Sequence, residues 1–371
     1  MNVLDVVGKV PPPYGGVSVH TGRLACYVGE NGWFVRVFDA SKKQRFNYAE
    51  NVMVYPFTRK NFVFRVAMIL RSRSIIHFHG GHWLLWYLFG FLGLLGRKVL
   101  LGVHTSVWLV TRYPGENLVK KWLFRLCCRG FACVVVPHVY VKQVISRLNL
   151  PFKEVRLLNS FIPPKDKAED YEAVPNEFWG FIKEHNPVLG ACAYRLNFKD
   201  GVDVYGLDML ISLIGRLKHS GFSNVGLVFV LPKVGNLAYF NELKQRINHL
   251  RIGKNILFIH GEREAYPLWR GLDLFIRPTV TDAASLSVSE CLSVGVPVVA
   301  SDCVERRKHI VTFKCRDLDD LERKVKLALN NSGNQKTVGC GSSAASFLQL
   351  YEELCSSKGE NYKCLLEQFN S

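Results

Sequence analysis

The sequence is short of acid where it is richest in base. Residues 1–163 hold 6 Asp and Glu against 22 Lys and Arg, a balance of +16, while the rest holds 25 against 26 and adds +1. An excess confined to one half implies an anionic partner for that half: nucleic acid, anionic lipid or an acidic substrate. No nucleic-acid-binding motif accompanies the charge, so nucleic acid drops out. The 11 cysteines show no CxxC and no regular spacing. An odd count without a framework excludes a disulfide scaffold and points to the reducing cytosol, with free thiols acting as small core hydrophobes. Internal repeats, low-complexity tracts and a signal-peptide pattern are all missing. The longest apolar run, Trp83 to Gly96, stops at Arg97-Lys98. It falls short of the ~20 residues that cross a bilayer, so it is expected as a buried helix packed on a sheet.

What is present is alternation. At 371 residues the chain exceeds one compact core and suits two domains. Apolar strands are expected at Val3–Val7, Trp33–Phe38, Val52–Tyr55, Ile75–His79, Val99–His104, Val134–Pro137 and Val155–Leu158, with helix-length amphipathic stretches between most of them. Continuous Val/Ile/Leu strands separated by helices argue for parallel sheets covered on both faces. A Pro-rich, then charged break follows from Phe161 to Asp170, as in a linker. The pattern restarts at Val188–Ala193, Val225–Leu231, Ile256–His260, Leu274–Arg277 and Pro297–Ala300, and a last helix is expected near Ser342–Cys355. The expected fold class is α/β, with two Rossmann-like parallel-sheet domains facing a cleft. The first spans 1–163 and the second 164–341; a helix and tail over 342–371 are expected to return to the first. Such sheets bind ligands at the carboxyl ends of their strands.

Candidate chemistry gathers at those ends. Asp282 and Glu290 stand eight positions apart. Asp282 lies in the loop after a short strand, and Glu290 lies inside a small-residue helix. The amides that begin this helix form a seat for phosphate, and a carboxylate on each side could accept hydrogen bonds from sugar hydroxyls. Arg195 and Lys199 follow the strand Val188–Ala193, where cations would neutralise a leaving diphosphate; a solvated loop is the alternative. Gly15 and Gly16 open the first helix, either for close approach to a ligand or for a tight turn. His104 ends the strand Val99–His104, within reach of a ligand or simply buried and satisfied. His77, His79 and His82 lack a fourth ligand of suitable spacing, and no metal site is assigned. Asp317-Leu318-Asp319 has an Asp-x-Asp metal pattern but is read as a helix start. Lys121, Arg125 and Arg129 recur at four-residue spacing as a basic stripe, opposite Leu118, Val119, Trp122, Leu123 and Leu126. The stripe is read as attracted to an anionic membrane surface.

In their order and spacing, the motifs resemble those of retaining GT-B glycosyltransferases of family 4, of the bacterial surface-polysaccharide type. The likeness runs nearly the whole length. It rests on the Gly15-Gly16 loop, on Ile75-Ile76-His77-Phe78-His79-Gly80, on Val103-His104-Thr105, and on Leu158-Asn159-Ser160-Phe161-Ile162-Pro163. It continues in Tyr194-Arg195-Leu196, in Asp282 to Glu290, and in Gly295-Val296-Pro297-Val298-Val299-Ala300-Ser301. The resemblance implies a UDP- or GDP-linked sugar donor as co-substrate, no other cofactor and no metal. It implies a lipid-linked saccharide acceptor and a peripheral position on the cytoplasmic face of the membrane. Arg195 is then expected on the diphosphate and Glu290 on the ribose hydroxyls. Asp282, Ala283, Ala284 and Ser285 are expected on the donor sugar and phosphate, with His104 near the transfer centre. Three departures stand out. Asp282 replaces a Glu and is one methylene shorter; Ala283-Ala284-Ser285 replaces a glycine-rich step; and Asp200 occupies the place of a phosphate-binding Lys, with Lys199 one position earlier. Two further readings use the same residues: a nucleotide-sugar epimerase, or a non-catalytic saccharide-binding protein of the membrane surface.

Overall fold

A computed structural model of the chain describes residues 1–80, 82–104, 109, 113, 117–282, 285–331 and 342–356. The chain forms two compact units, one of residues 1–162 with the segment from Ser342 onward, the other of residues 163–341.

In the first unit eight strands build one sheet: β1 (Val3–Val7), β2 (Phe34–Asp39), β3 (Phe46–Ala49), β4 (Val52–Pro56), β5 (Ile75–His79), β6 (Val99–Gly102), β7 (Cys133–Val136) and β8 (Val155–Leu157). Their order is β3-β4-β2-β1-β5-β6-β7-β8. All neighbours run parallel except the edge strand β3, which is antiparallel to β4. The apolar runs are long because both faces are covered. Helices Phe62–Arg71, Trp83–Leu94, Leu118–Cys128 and Val139–Arg147 pack with Val7, Phe78, Leu101 and Val134 on one face. Helices Gly16–Glu30 and Ala344–Ser356 pack with Leu4, Val6, Ile75 and Leu100 on the other. Asp5 sits inside β1 without exposure. Arg36 on the neighbouring strand grips it through both oxygens, at 2.6 and 2.7 Å, and Ser74 Oγ donates to Oδ2. A paired, hydrogen-bonded charge is what a buried strand tolerates.

Two helices of this unit expose more apolar surface than a buried helix would. Trp83–Leu94 is not wholly buried: Trp86, Phe89, Gly90, Leu92 and Gly93 face inward, while Trp83, Leu84, Phe91 and Leu94 are exposed. In Leu118–Cys128 the buried side is Phe124, Cys127 and Cys128. The apolar side opposite the cations faces water: Leu118 is 82% exposed, Val119 73% and Trp122 65%. The two helices approach closely because a Cβ on Gly93 would lie 1.9 Å from the Gly130 carbonyl oxygen, a space no other residue could share.

The second unit holds the parallel sheet β13-β12-β9-β14-β15-β16, from β9 (Val188–Cys192), β12 (Gly226–Val230), β13 (Ile256–Ile259), β14 (Leu274–Arg277), β15 (Val298–Ser301) and β16 (Val311–Phe313). A hairpin of β10 (Phe198–Lys199) and β11 (Val202–Asp203) stands apart from it. Counted from β9, the large sheet reads 3-2-1-4-5-6, the doubly wound order, whose switch point lies between β9 and β14. Helices Leu207–His219, Leu237–His249 and Leu318–Asn330 cover one face, and Asn176–Glu184, Tyr266–Trp269 and Leu286–Ser293 the other. Asp317 accepts a hydrogen bond from the Asp320 amide, so the Asp-x-Asp segment is indeed a helix start. Of the nine described cysteines, Cys127, Cys128, Cys133 and Cys291 are buried. Among the described residues no helix is long and apolar enough to cross a membrane.

Candidate functional site

The switch point of the second unit gathers the candidate residues. Arg195 lies just past β9 and is exposed. Its loop is not a loose solvated one. The Lys233 amide donates to the Tyr194 carbonyl and the Leu196 amide to the Val234 carbonyl. Gly235 closes this pairing at φ +77°, where a Cβ would lie 2.7 Å from the Leu196 carbonyl oxygen. On the other side the Tyr194 hydroxyl donates to Glu262 at 2.8 Å, and Lys233 pairs with Glu262 at 2.9 Å while standing over the Tyr194 ring. The Arg195 backbone is therefore fixed while its guanidinium reaches solvent. Lys199 is also exposed, yet it belongs to the hairpin β10–β11 rather than to a longer loop. Asp200 and Gly201 form the turn at positive φ, a conformation that Asp tolerates and Gly favours.

Across the switch point, helix Leu286–Ser293 begins after Ser285, whose side chain makes no cap hydrogen bond to the first amides. The first N–H groups of any helix lack intrahelical partners, and here they lie where the sequence predicts an anion seat. Ala283 and Ala284 lie outside the described residues. Glu290 is buried, and its Oε2 accepts a hydrogen bond from the Trp269 indole at 2.8 Å. Trp269 thus fixes the orientation of this carboxylate.

Asp282 departs from expectation. Its side chain is only 6% exposed and pairs with two arginines instead of facing outward. Arg277, at the end of β14, reaches both its oxygens at 3.2 Å. Arg306 reaches Oδ2 at 2.9 Å and also holds the Ser301 carbonyl. The shorter side chain leaves the carboxylate among these guanidiniums. Burial alone would raise its pKa; Arg277 and then Arg306 outweigh burial and hold the carboxyl below its usual range. Arg277 further donates to the Cys192 carbonyl at 3.3 Å and lies over the Tyr205 ring, tying β9 to β14 at the switch point. Two arginines thus share the one Asp282 carboxylate.

The first unit has its own switch point, between β1 and β5. Gly15 caps helix Gly16–Glu30 in an extended conformation, with Ser18 Oγ accepting from its amide. Neither Gly15 nor Gly16 has positive φ, and a Cβ on Gly16 would meet nothing within 4 Å. Neither the backbone angles nor crowding therefore requires glycine at these two positions. His104, just past β6, hydrogen-bonds His79 at the end of β5, its Nε2 lying 2.8 Å from His79 Nδ1. His77 pairs with the Tyr351 hydroxyl and His20 with the Ser160 carbonyl. His82 stands apart as the residue before helix Trp83–Leu94. Among the described residues no group of three or more His, Cys, Asp or Glu could hold a metal ion.

The basic stripe is only partly free. Lys121 lies over the Tyr113 ring, Arg125 donates to the Tyr113 hydroxyl at 3.3 Å, and Arg129 is exposed. Trp269, Arg277, Arg306, Glu262 and Lys233 escaped the sequence reading. Apart from Arg277, which pairs with Asp282 five residues on, each meets its partner across an intervening strand or helix, where spacing carries no signal.

Comparisons with known proteins bear on the family and the fold. Residues 14–166 match the family described as Glycosyltransferase Family 4, and residues 196–340 match Glycosyl transferases group 1. The lipopolysaccharide core biosynthesis mannosyltransferase LpsB of Rhizobium meliloti (strain 1021) is 32% identical over 143 residues, 38% of this chain. The match spans 37% of that relative's own length. Among solved structures, Anabaena Alr3699/HepE in complex with UDP has a TM-score of 0.65 at 15% identity, covering 96% of this chain and 100% of that one. WaaG, a glycosyltransferase involved in lipopolysaccharide biosynthesis, has a TM-score of 0.59 at 14% identity, covering 94% and 99%.

Proposed function

We infer, for a chain that belongs to the GT-B glycosyltransferases of family 4 and group 1, that it moves a sugar from a nucleotide-diphosphate donor to a lipid-linked saccharide acceptor. The product belongs to a lipopolysaccharide-type surface polysaccharide, and transfer proceeds with retention at the anomeric carbon. One observation carries the donor half of this reading. At a single switch point an exposed arginine on a locked loop stands across from a helix N-terminus that the Ser285 side chain does not cap. Departure of a diphosphate is the costly event in the reaction, and preorganised cations and amides lower that cost most. Arg195 and the amides after Ser285 meet the leaving diphosphate, with Lys199 at the edge of the site and Glu290, held by Trp269, oriented for the ribose. HepE, which shares the fold, is known in complex with UDP-glucose, and that supports a nucleotide-sugar donor. The relative named for lipopolysaccharide core biosynthesis supports the polysaccharide setting. With retention, and with no carboxylate among the described residues placed as a nucleophile, the acceptor is read as attacking from the face the diphosphate leaves. A thermal-shift series with nucleoside diphosphates tests the reading. At 100 times Kd a ligand of the native state adds about 2.7 kcal/mol, so at least one nucleotide should raise Tm by several degrees. No shift with any nucleotide at millimolar concentration would defeat the reading.

The acceptor half rests on the first unit. The balance of +16 over residues 1–163 lies in the same unit as the exposed Leu118, Val119, Trp122, Trp83 and Phe91. Apolar side chains rimmed by Lys120 and Arg129 suit an anionic bilayer surface, where each nearby cation adds about 1 kcal/mol. The enzyme is read as peripheral on the cytoplasmic face of the membrane. Because the apolar side is the exposed one, Leu118→Ser with Trp122→Ser should weaken binding to anionic vesicles more than charge reversal at Lys121, Arg125 and Arg129. Vesicle co-sedimentation unchanged in both variants would remove the membrane role.

A further inference from the structure

Four imidazoles collect around the ends of β5 and β6, and their hydrogen bonds fix more than their positions. His20, His77, His79 and His104 lie within a few ångströms of one another, with ring centroids of 4.2 Å for His77–His79 and 5.1 Å for His79–His104. Burial lowers His20 to about 4 and His77 to about 3, and it carries His79 and His104 well below the usual histidine value. At neutral pH each ring is therefore uncharged and bears one N–H.

The bond between His79 Nδ1 and His104 Nε2 needs one proton, and either ring could supply it. The rest of His79 decides which. Its Nε2 is buried and meets no hydrogen-bond partner among the described residues. An orphaned buried N–H is rarer than a bare acceptor. The Nε2 atom is then the bare one, and the proton sits on Nδ1 and points at His104 Nε2. A neutral His104 that accepts at Nε2 carries its own proton on Nδ1. We propose that His79 is a positioning residue that fixes His104 as the Nδ1–H tautomer, so that His104 meets its ligand as a hydrogen-bond donor to a sugar hydroxyl oxygen. The tautomer follows from the cluster alone; the ligand rests on the function inferred above.

The surroundings hold this arrangement. His77 Nε2 is likewise buried and unpaired, so by the same argument His77 Nδ1–H donates to the Tyr351 hydroxyl, 2.7 Å away. Phe347, from the same C-terminal helix, packs against the rings of His20 and His77. Glycines leave the rings their room. A Cβ at Gly8 would lie 3.1 Å from His79 Cδ2, and one at Gly102 would lie 3.2 Å from His79 Nδ1 and 3.4 Å from His104 Nε2.

The test is imidazole NMR of the full chain labelled with 15N-histidine, with His104 assigned by loss of its signals in His104→Gln. The expected spectrum shows His104 protonated at Nδ1 and bare at Nε2. His79→Asn places an amide N–H where Nδ1 stood, and should keep that tautomer and restore transfer. His79→Asp accepts but does not donate; it should move the His104 proton to Nε2 and cut kcat/KM about tenfold, roughly the worth of one hydrogen bond. A His104 protonated at Nε2 in the unaltered chain overturns the proposal, even if neither variant folds. The expected tautomer with transfer equal in both variants upholds the role of His79 on the ring, and overturns only the assignment of His104 to a ligand.

Discussion

Arg195→Ala is expected to slow sugar transfer by about 10²–10³-fold, the usual cost of removing one preorganised group that stabilises developing charge. Tm should hold nearly steady. The guanidinium is exposed, and exposed substitutions outside special contacts stay within about 0.5 kcal/mol. The loop beneath it keeps its shape through the Lys233, Val234 and Glu262 contacts, none of which uses the Arg195 side chain. Loss should appear in kcat as well as in KM, because charge on the diphosphate grows as the bond to the sugar breaks. Lys199→Ala should cost less, since a lysine on a two-residue hairpin is less firmly placed. Steady-state kinetics with the nucleotide sugar found by the binding screen decide the matter. Equal kcat in Arg195→Ala and the unaltered enzyme would remove Arg195 from the reaction and leave the helix amides alone at the site.

Much of this arrangement could be read from the chain before its structure. The central strands are apolar without interruption because helices cover both faces, so each stands out by composition alone. β1, β5 and β14 fall at the expected residues. The edge strand β3, the hairpin β10–β11 and the last strand β16 did not stand out. They span two to four residues, too few for a period to show, and β3 carries the polar residues of an edge. The orientation of Trp83–Leu94 and Leu118–Cys128 was not legible for another reason. Amphipathic spacing says that a helix has two sides; it does not say which side meets the core. Glycine packing between Gly93 and Gly130 helps set that choice. The site was legible in part. Arg195, Glu290 and His104 lie at strand ends and in the helix beyond one, where chain order predicts a cleft. Their partners are remote: Trp269 is 21 residues from Glu290, and Arg306 is 24 from Asp282. Only the order of strands in the folded sheet brings them together.

Asp282 separates what the resemblance implies from what the geometry supports. If its carboxylate faced the donor sugar, Asp282→Asn would leave stability unchanged and raise the donor KM. The structure gives it a different task. Its side chain and those of Arg277 and Arg306 are 6%, 13% and 5% exposed, so the amide would leave two buried guanidiniums without a counter-charge. Breaking a buried pair from one side costs about 3–5 kcal/mol. At about 2–4 °C per kcal/mol for a domain of this size, Tm should fall by roughly 6–20 °C. Acid should reproduce the effect in the unaltered chain. The folded-state pKa of Asp282 is depressed, so its contribution is complete above the unfolded value, near pH ~3.9, and fades as pH falls through the lower folded value. Below pH ~4 the unaltered chain should therefore lose stability that Asp282→Asn has already lost, and the two melting curves should converge. Curves that stay parallel down to pH ~2 would mean that the Arg277–Asp282–Arg306 cluster does not hold the switch point together, and that the aspartate is free to serve the sugar.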